Sequence, residues 1–151
     1  MRVAIAEDSV LLREGVAQLL TDAGIEVTAR CGTADELLAR VAADPPDAVI
    51  VDIRMPPTHT DEGMQAALTI RQRYPDVGVL VLSQYVEVGL AMRLLADSAE
   101  GVGYLLKDRV SEVKEFIAAL RRVADGGSAL DPTIVSTMLK RHRSSDPLDS
   151  L

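Results

Sequence analysis

The chain has 151 residues, of which 48% are hydrophobic and only 3% aromatic, so we expect one domain with an aliphatic core. Its net charge of −7 and sequence pI near 4.8 argue against a nucleic-acid-binding surface in this segment. The single cysteine, Cys31, excludes an internal disulfide, and charged residues recur too often for a membrane span; we therefore expect a cytoplasmic protein without membrane contact.

Short apolar runs and helical repeats alternate along the chain. Five apolar runs bounded by turn residues predict strands at residues 2–6, 25–30, 48–51, 77–82 and 101–106. Helical spacing of apolar residues predicts helices at about 10–23, 34–41, 63–74, 86–97 and 112–123. We expect caps for the first, second and fifth helices at Ser9, at Thr33 with Glu36, and at Ser111. This alternation predicts a doubly wound α/β domain, a parallel sheet with helices on both faces.

A short segment follows the fifth predicted helix. Asp131 and Pro132 have the pattern of an N-cap followed by a proline at the first helical position. Apolar residues then lie on one stripe of a helix that ends near Arg141. We therefore predict a domain at residues 1–127 and a linker helix and tail at residues 128–151.

Reactive side chains stand where four of the predicted strands end. Glu7 and Asp8 follow the first strand, Asp52 the third, Ser83 the fourth and Lys107 the fifth. Because the carboxyl ends of parallel strands meet at one edge of a sheet, we expect these side chains to lie close together. Carboxylates suit a hard cation such as Mg²⁺, whereas an ammonium and a hydroxyl suit phosphoryl oxygens. An aspartate carboxylate can also act as a nucleophile toward phosphorus.

The order of these residues is typical of one known family. Residues 1 to about 125 resemble the receiver domain of two-component response regulators, through Glu7-Asp8, Asp52, Ser83, Tyr104 and Lys107. The chain is similar to the subfamily with a C-terminal LuxR-type (NarL/FixJ-like) helix-turn-helix output domain. The resemblance implies a flavodoxin-like sheet of five strands in the order 2-1-3-4-5. It also implies a DNA-binding domain that would follow the predicted tail.

The resemblance further implies a phosphorylation-activated switch. Asp52 would accept a phosphoryl group from a sensor histidine kinase, and Lys107 and Ser83 would contact its oxygens. Ser83 and Tyr104 would then change conformation, and the protein would form a homodimer that controls transcription. The chain would not be an enzyme beyond Mg²⁺-dependent self-phosphorylation and slow autodephosphorylation.

The resemblance assigns a metal site and suggests two rate-tuning residues. Mg²⁺ would be bound by the carboxylates of Glu7, Asp8 and Asp52 and by the backbone carbonyl of Arg54. Because Arg54 and Tyr85 would lie beside the phosphorylated carboxylate, we expect both to slow attack by water. The first acid is Glu7, where the family more often has aspartate.

Three alternatives remain open from the sequence. A pseudo-receiver would use the same fold as a phosphorylation-independent interaction module, although the acids, Ser83 and Lys107 argue against it. A flavodoxin-like cofactor binder would need a phosphate-binding loop after the first strand, where Glu7 and Asp8 would repel phosphate. A phosphatase would need an acid two residues after Asp52. We interpret His59, in the polar loop that follows, as a solvated side chain.

Overall fold

The computed structural model describes residues 1–145, which form a parallel sheet between two layers of helices. The strands are β1 Arg2–Ala6, β2 Glu26–Cys31, β3 Ala48–Asp52, β4 Gly78–Ser83, β5 Val102–Leu106 and β6 Ser128–Leu130. The helices are α1 Val10–Asp22, α2 Ala34–Ala43, α3 Glu62–Arg73, α4 Val88–Leu95, α5 Val113–Ala124 and α6 Pro132–Ser145, with a 3₁₀ helix at Lys107–Ser111. None of the helices in this described part is long and apolar enough to cross a membrane.

The strand order is β2-β1-β3-β4-β5-β6, and the first five strands confirm the predicted order. The prediction of only five strands is wrong, because Ser128–Leu130 pairs in parallel with β5. Three residues are too few to show the alternating pattern of a strand, and the preceding Gly126 and Gly127 are typical of a loop. The division of the chain at residue 127 stays a prediction, and residues 146–151 of the predicted tail lie outside the described residues.

The core has two layers because successive strand residues face opposite sides of the sheet. Val49 and Val51 of β3 pack on the side of α2, α3, α4 and α6. Ala48 and Ile50 pack on the side of α1 and α5. All residues of β3 are buried, which explains why its sequence is a continuous apolar run that ends in Asp52.

Side-chain caps define where two of the helices begin. Ser9 Oγ accepts a hydrogen bond from the first turn of α1 at 3.4 Å, and Thr33 Oγ1 accepts one from Glu36 N at 3.2 Å. The cap predicted at Ser111 is wrong. Its hydroxyl donates to Asp108 O at 2.8 Å, because a 3₁₀ helix occupies residues 107–111 before α5 begins.

Candidate functional site

The predicted reactive side chains surround one cavity at the carboxyl edge of the sheet. β1, β3, β4 and β5 are successive neighbours in the sheet, so their ends deliver side chains to the same place. Strand register sets Asp52 beside Leu82, and Ser83 beside Leu106. The cavity measures about 240 Å³ and is lined by Asp8, Asp52, Ile53, Arg54, His59, Ser83, Gln84 and Lys107.

Lys107 lies between two buried carboxylates. Its Nζ is 3.2 Å from Asp52 Oδ2 and 3.2 Å from Glu7 Oε1. Asp52 and Glu7 are each only 4% exposed. Burial acts to lower the pKa of Lys107, but the charges of Asp52 and Glu7 outweigh it, and the pKa is raised above its usual value. The ammonium is therefore a fixed positive charge beside Asp52.

The charged form of Glu7 is disfavoured by its surroundings. Burial, and then the neighbouring Asp52 carboxylate, raise the pKa of Glu7 to about 8, although Lys107 opposes the shift. Among the described residues, Glu7 Oε2 is buried without a hydrogen-bond partner. Such an oxygen can be satisfied by a proton, by an ordered water or by a cation.

The acidic residues are close enough to share a cation. One carboxylate oxygen from each of Glu7, Asp8 and Asp52 lies within 4.8 Å of the others. Oxygen donors of this kind fit a hard divalent ion that retains part of its water shell. The unpartnered oxygen of Glu7 supports the fit, so this acidic pocket is compatible with a divalent metal.

His59 reaches the acidic pocket from the loop between β3 and α3. Its side chain is half-exposed, as the sequence suggested, but its Nε2 lies 2.9 Å from Asp8 Oδ2. The backbone of His59 has a φ of 55°, in the left-handed region, and sequence periodicity cannot predict this loop conformation. The contact with Asp8 was therefore missed.

A second group of polar contacts connects β3, β4 and the start of α4. Arg54 N donates to Asp52 Oδ1 at 3.3 Å, while the Arg54 guanidinium forms an ion pair with Glu87. Ser83 Oγ donates to Tyr85 O at 2.6 Å and lies 3.3 Å from Glu87 Oε2. Glu87 was not predicted as a site residue, because it follows no strand directly and belongs to no strand-end pattern.

The two predicted tyrosines occupy different environments. Tyr104 is 0% exposed, and its phenol oxygen has no hydrogen-bond partner among the described residues. Burial raises the pKa of Tyr104, so its hydroxyl stays protonated at neutral pH. Tyr85, by contrast, is 63% exposed. A change of rotamer at Tyr104 would therefore require the core around it to repack. At Tyr85 the same change would only move the side chain through solvent.

Gly63 allows α3 to begin directly against the end of β3. Gly63 N donates to Ile53 O at 2.8 Å. A Cβ at Gly63 would lie 1.6 Å from Asp52 O, which no real side chain could tolerate. The glycine thus permits the close backbone approach that holds Asp52 in place.

The fold and the site together define a flavodoxin-like domain with an acidic, lysine-containing pocket at the carboxyl edge of its sheet. The response regulator receiver domain model matches residues 3–121, and the chain therefore belongs to that family. The transcriptional regulatory protein DegU of Brevibacillus brevis is 33% identical over 144 residues, which cover 95% of this chain and 58% of DegU. The oxygen regulatory protein NreC of Staphylococcus carnosus is 29% identical over 140 residues, which cover 92% of this chain and 62% of NreC.

A solved structure with a related fold confirms the architecture. The crystal structure of a LuxR-family two-component response regulator from Aurantimonas sp. SI85-9A1 has a TM-score of 0.78. It is 23% identical, and the match covers 93% of this chain and 96% of that one. The chain spans about six-tenths of the length of DegU and NreC. The resemblance inferred from the strand-end residues is thus confirmed at the level of family and fold.

Proposed function

We propose that Asp52 is the phosphoacceptor of a switch in a two-component system. The observation that carries this proposal is the 3.2 Å contact between Lys107 Nζ and Asp52 Oδ2 beside two further carboxylates. An ordinary buried ion pair needs one acid, whereas three acids and one ammonium around an open cavity suit a charged ligand. A phosphoryl group with a divalent cation has the matching charges.

The positions of these side chains support a phosphoryl transfer to Asp52. A carboxylate oxygen of Asp52 attacks the phosphorus of a phosphohistidine on a sensor histidine kinase, and the P–O bond forms as the P–N bond breaks. Lys107 neutralises the phosphoryl oxygens from one side, and the Ser83 hydroxyl is available on another. Mg²⁺, when bound, supplies further neutralisation of the transferred group. Its protein ligands would be Glu7, Asp8 and Asp52, with the backbone carbonyl of Arg54.

We also propose that the chain catalyses nothing beyond its own phosphorylation and slow dephosphorylation. Arg54 and Tyr85 would slow attack by water, because Arg54 lines the cavity and Tyr85 directly follows Gln84 of the lining. Support for Arg54 comes from its position in the lining of the cavity that Asp52 also lines.

The output is a change in conformation and association. Ser83 would move toward the phosphoryl group, and Tyr104 would change rotamer, which shifts a population between two states. We propose that the phosphorylated protein forms a homodimer in the cytoplasm. DNA contact would fall to a domain outside this chain, because this segment has a net charge of −7. Relatives named as transcriptional regulators support control of transcription as the output.

Intact mass spectrometry tests the proposal. The protein is incubated with acetyl phosphate, with and without Mg²⁺, and Asp52→Asn serves as the matched control. We expect a Mg²⁺-dependent gain of about 80 Da, one phosphoryl group, in the wild type only. Sedimentation of the same samples should show dimers only after phosphorylation. No gain of mass under any condition would favour the pseudo-receiver instead.

A further inference from the structure

We infer that Glu87 is a positioning residue that competes with the phosphoryl group for Arg54 and Ser83. This inference rests on the proposed function of Asp52. Glu87 lies just before α4, and none of its side-chain oxygens caps that helix. Its carboxylate is instead directed back toward the cavity, where one oxygen pairs with Arg54 and the other lies 3.3 Å from Ser83 Oγ.

The contacts of Ser83 show what the hydroxyl would have to give up. A serine hydroxyl has a single proton to donate. In this structure Ser83 Oγ donates to Tyr85 O at 2.6 Å and accepts from Tyr85 N at 3.3 Å, with Glu87 Oε2 as a second possible acceptor. A hydrogen bond from Ser83 to a phosphoryl oxygen therefore requires loss of the bond that it donates to Tyr85 O and of its contact with Glu87 Oε2.

The contacts of Arg54 lead to the same competition. Its guanidinium would be attracted to a phosphoryl group on Asp52, which carries more negative charge than a carboxylate. However, the Glu87 side chain is only 18% exposed, so loss of Arg54 would leave a largely buried carboxylate without its cation. This cost opposes the phosphorylated arrangement. In the unphosphorylated protein, the Glu87 carboxylate thus occupies the place of the phosphoryl group as the anionic partner of Arg54 and Ser83.

Beryllofluoride with Mg²⁺ is a suitable probe, because it occupies an aspartate as a phosphoryl analogue without covalent transfer. We expect Glu87→Gln, which removes the charge but keeps the size of the side chain, to bind it about five-fold or more tightly than the wild type. Glu26→Gln is the matched control. Glu26 lies on the edge strand β2, and its side chain forms an exposed ion pair with Arg2 of β1. Binding by Glu26→Gln should therefore stay within about two-fold of the wild type.

A second background shows whether the gain acts through Arg54. In the Arg54→Ala protein, we expect Glu87→Gln to raise the affinity clearly less than in the wild type, because only the competition for Ser83 remains. Loss of a merely structural contact would weaken binding, so a gain of affinity identifies competition. Urea unfolding of each variant establishes that the comparison is made between folded proteins.

The outcomes separate this inference from the function on which it rests. If the wild type binds beryllofluoride but Glu87→Gln binds it equally or more weakly, the inference is overturned and the proposed function stands. An undiminished gain in the Arg54→Ala background would also overturn it. If neither the wild type nor any variant binds the analogue, the proposed function fails and the inference fails with it.

Discussion

Glu7 makes the stability of the cation-free protein depend on pH. Burial and the Asp52 carboxylate raise the pKa of Glu7 from 4.5 to about 8, so the folded protein holds a proton that the unfolded chain releases. The free energy of unfolding falls with rising pH wherever the folded state binds more protons. This stabilisation is complete below pH 4.5 and is lost as the pH rises through about 8.

The size of the effect follows from the two pKa values. Each pKa unit corresponds to about 1.4 kcal/mol, so the interval from 4.5 to about 8 sets an upper limit of about 5 kcal/mol. Of this, about 3 kcal/mol would be lost between about pH 5 and pH 8. Bound Mg²⁺ would take the place of the proton, so the metal-loaded protein should lose less stability over the same range.

Urea unfolding in EDTA, at intervals between about pH 5 and pH 8, measures this dependence. Glu7→Gln cannot titrate, so its free energy of unfolding should vary much less with pH than that of the wild type. Glu26→Gln, an exposed exchange of the same kind, should keep the wild-type slope. The reasoning is refuted if Glu7→Gln retains the full pH dependence of the wild type.

Three further substitutions test the structure around the site. Gly63→Ala should lower the free energy of unfolding by about 3 kcal/mol, because a Cβ would lie 1.6 Å from the backbone oxygen at the end of β3. Asp131→Asn should lower it by about 2 kcal/mol, because the fully buried carboxylate lies 2.9 Å from Arg109; urea unfolding measures both. His59→Ala should speed amide hydrogen exchange across residues 58–61, because the loop loses its 2.9 Å contact with Asp8.

The two predictions on unfolding free energy each have a control within the chain. A Cβ at Gly15 would meet nothing within 4 Å, so Gly15→Ala in α1 should not destabilise the protein. Glu112→Gln removes an exposed pair with Arg109 and should cost less than about 1 kcal/mol. Equal losses in the test and control variants would contradict the packing and burial arguments. Unchanged exchange in His59→Ala would mean that the Asp8 contact does not order the loop.

The edge of the sheet could be predicted because strand ends are visible in the sequence. A buried parallel strand is a continuous apolar run, so the first polar residue after it marks the carboxyl edge. Asp52 at the end of β3 and Ser83 at the end of β4 were placed by this reasoning alone. The structure brings them to one cavity with Asp8 and Lys107. The roles of these residues remain predictions until the chemistry is measured.

The missed features depend on contacts between elements that no local pattern records. Glu87 and His59 reach the site from loops, and their side-chain directions are set by backbone conformations that do not repeat. β6 has only three residues and gains its identity from pairing with β5.

The central claim is that Asp52 itself becomes phosphorylated, and one measurement locates the modified residue. The protein is treated with acetyl phosphate and Mg²⁺, reduced with borohydride, digested and sequenced by tandem mass spectrometry. Borohydride reduces an aspartyl phosphate to homoserine, so we expect homoserine at position 52 in the treated sample alone. Reduction at Glu7 or Asp8, or at no residue of the cavity, would contradict the account.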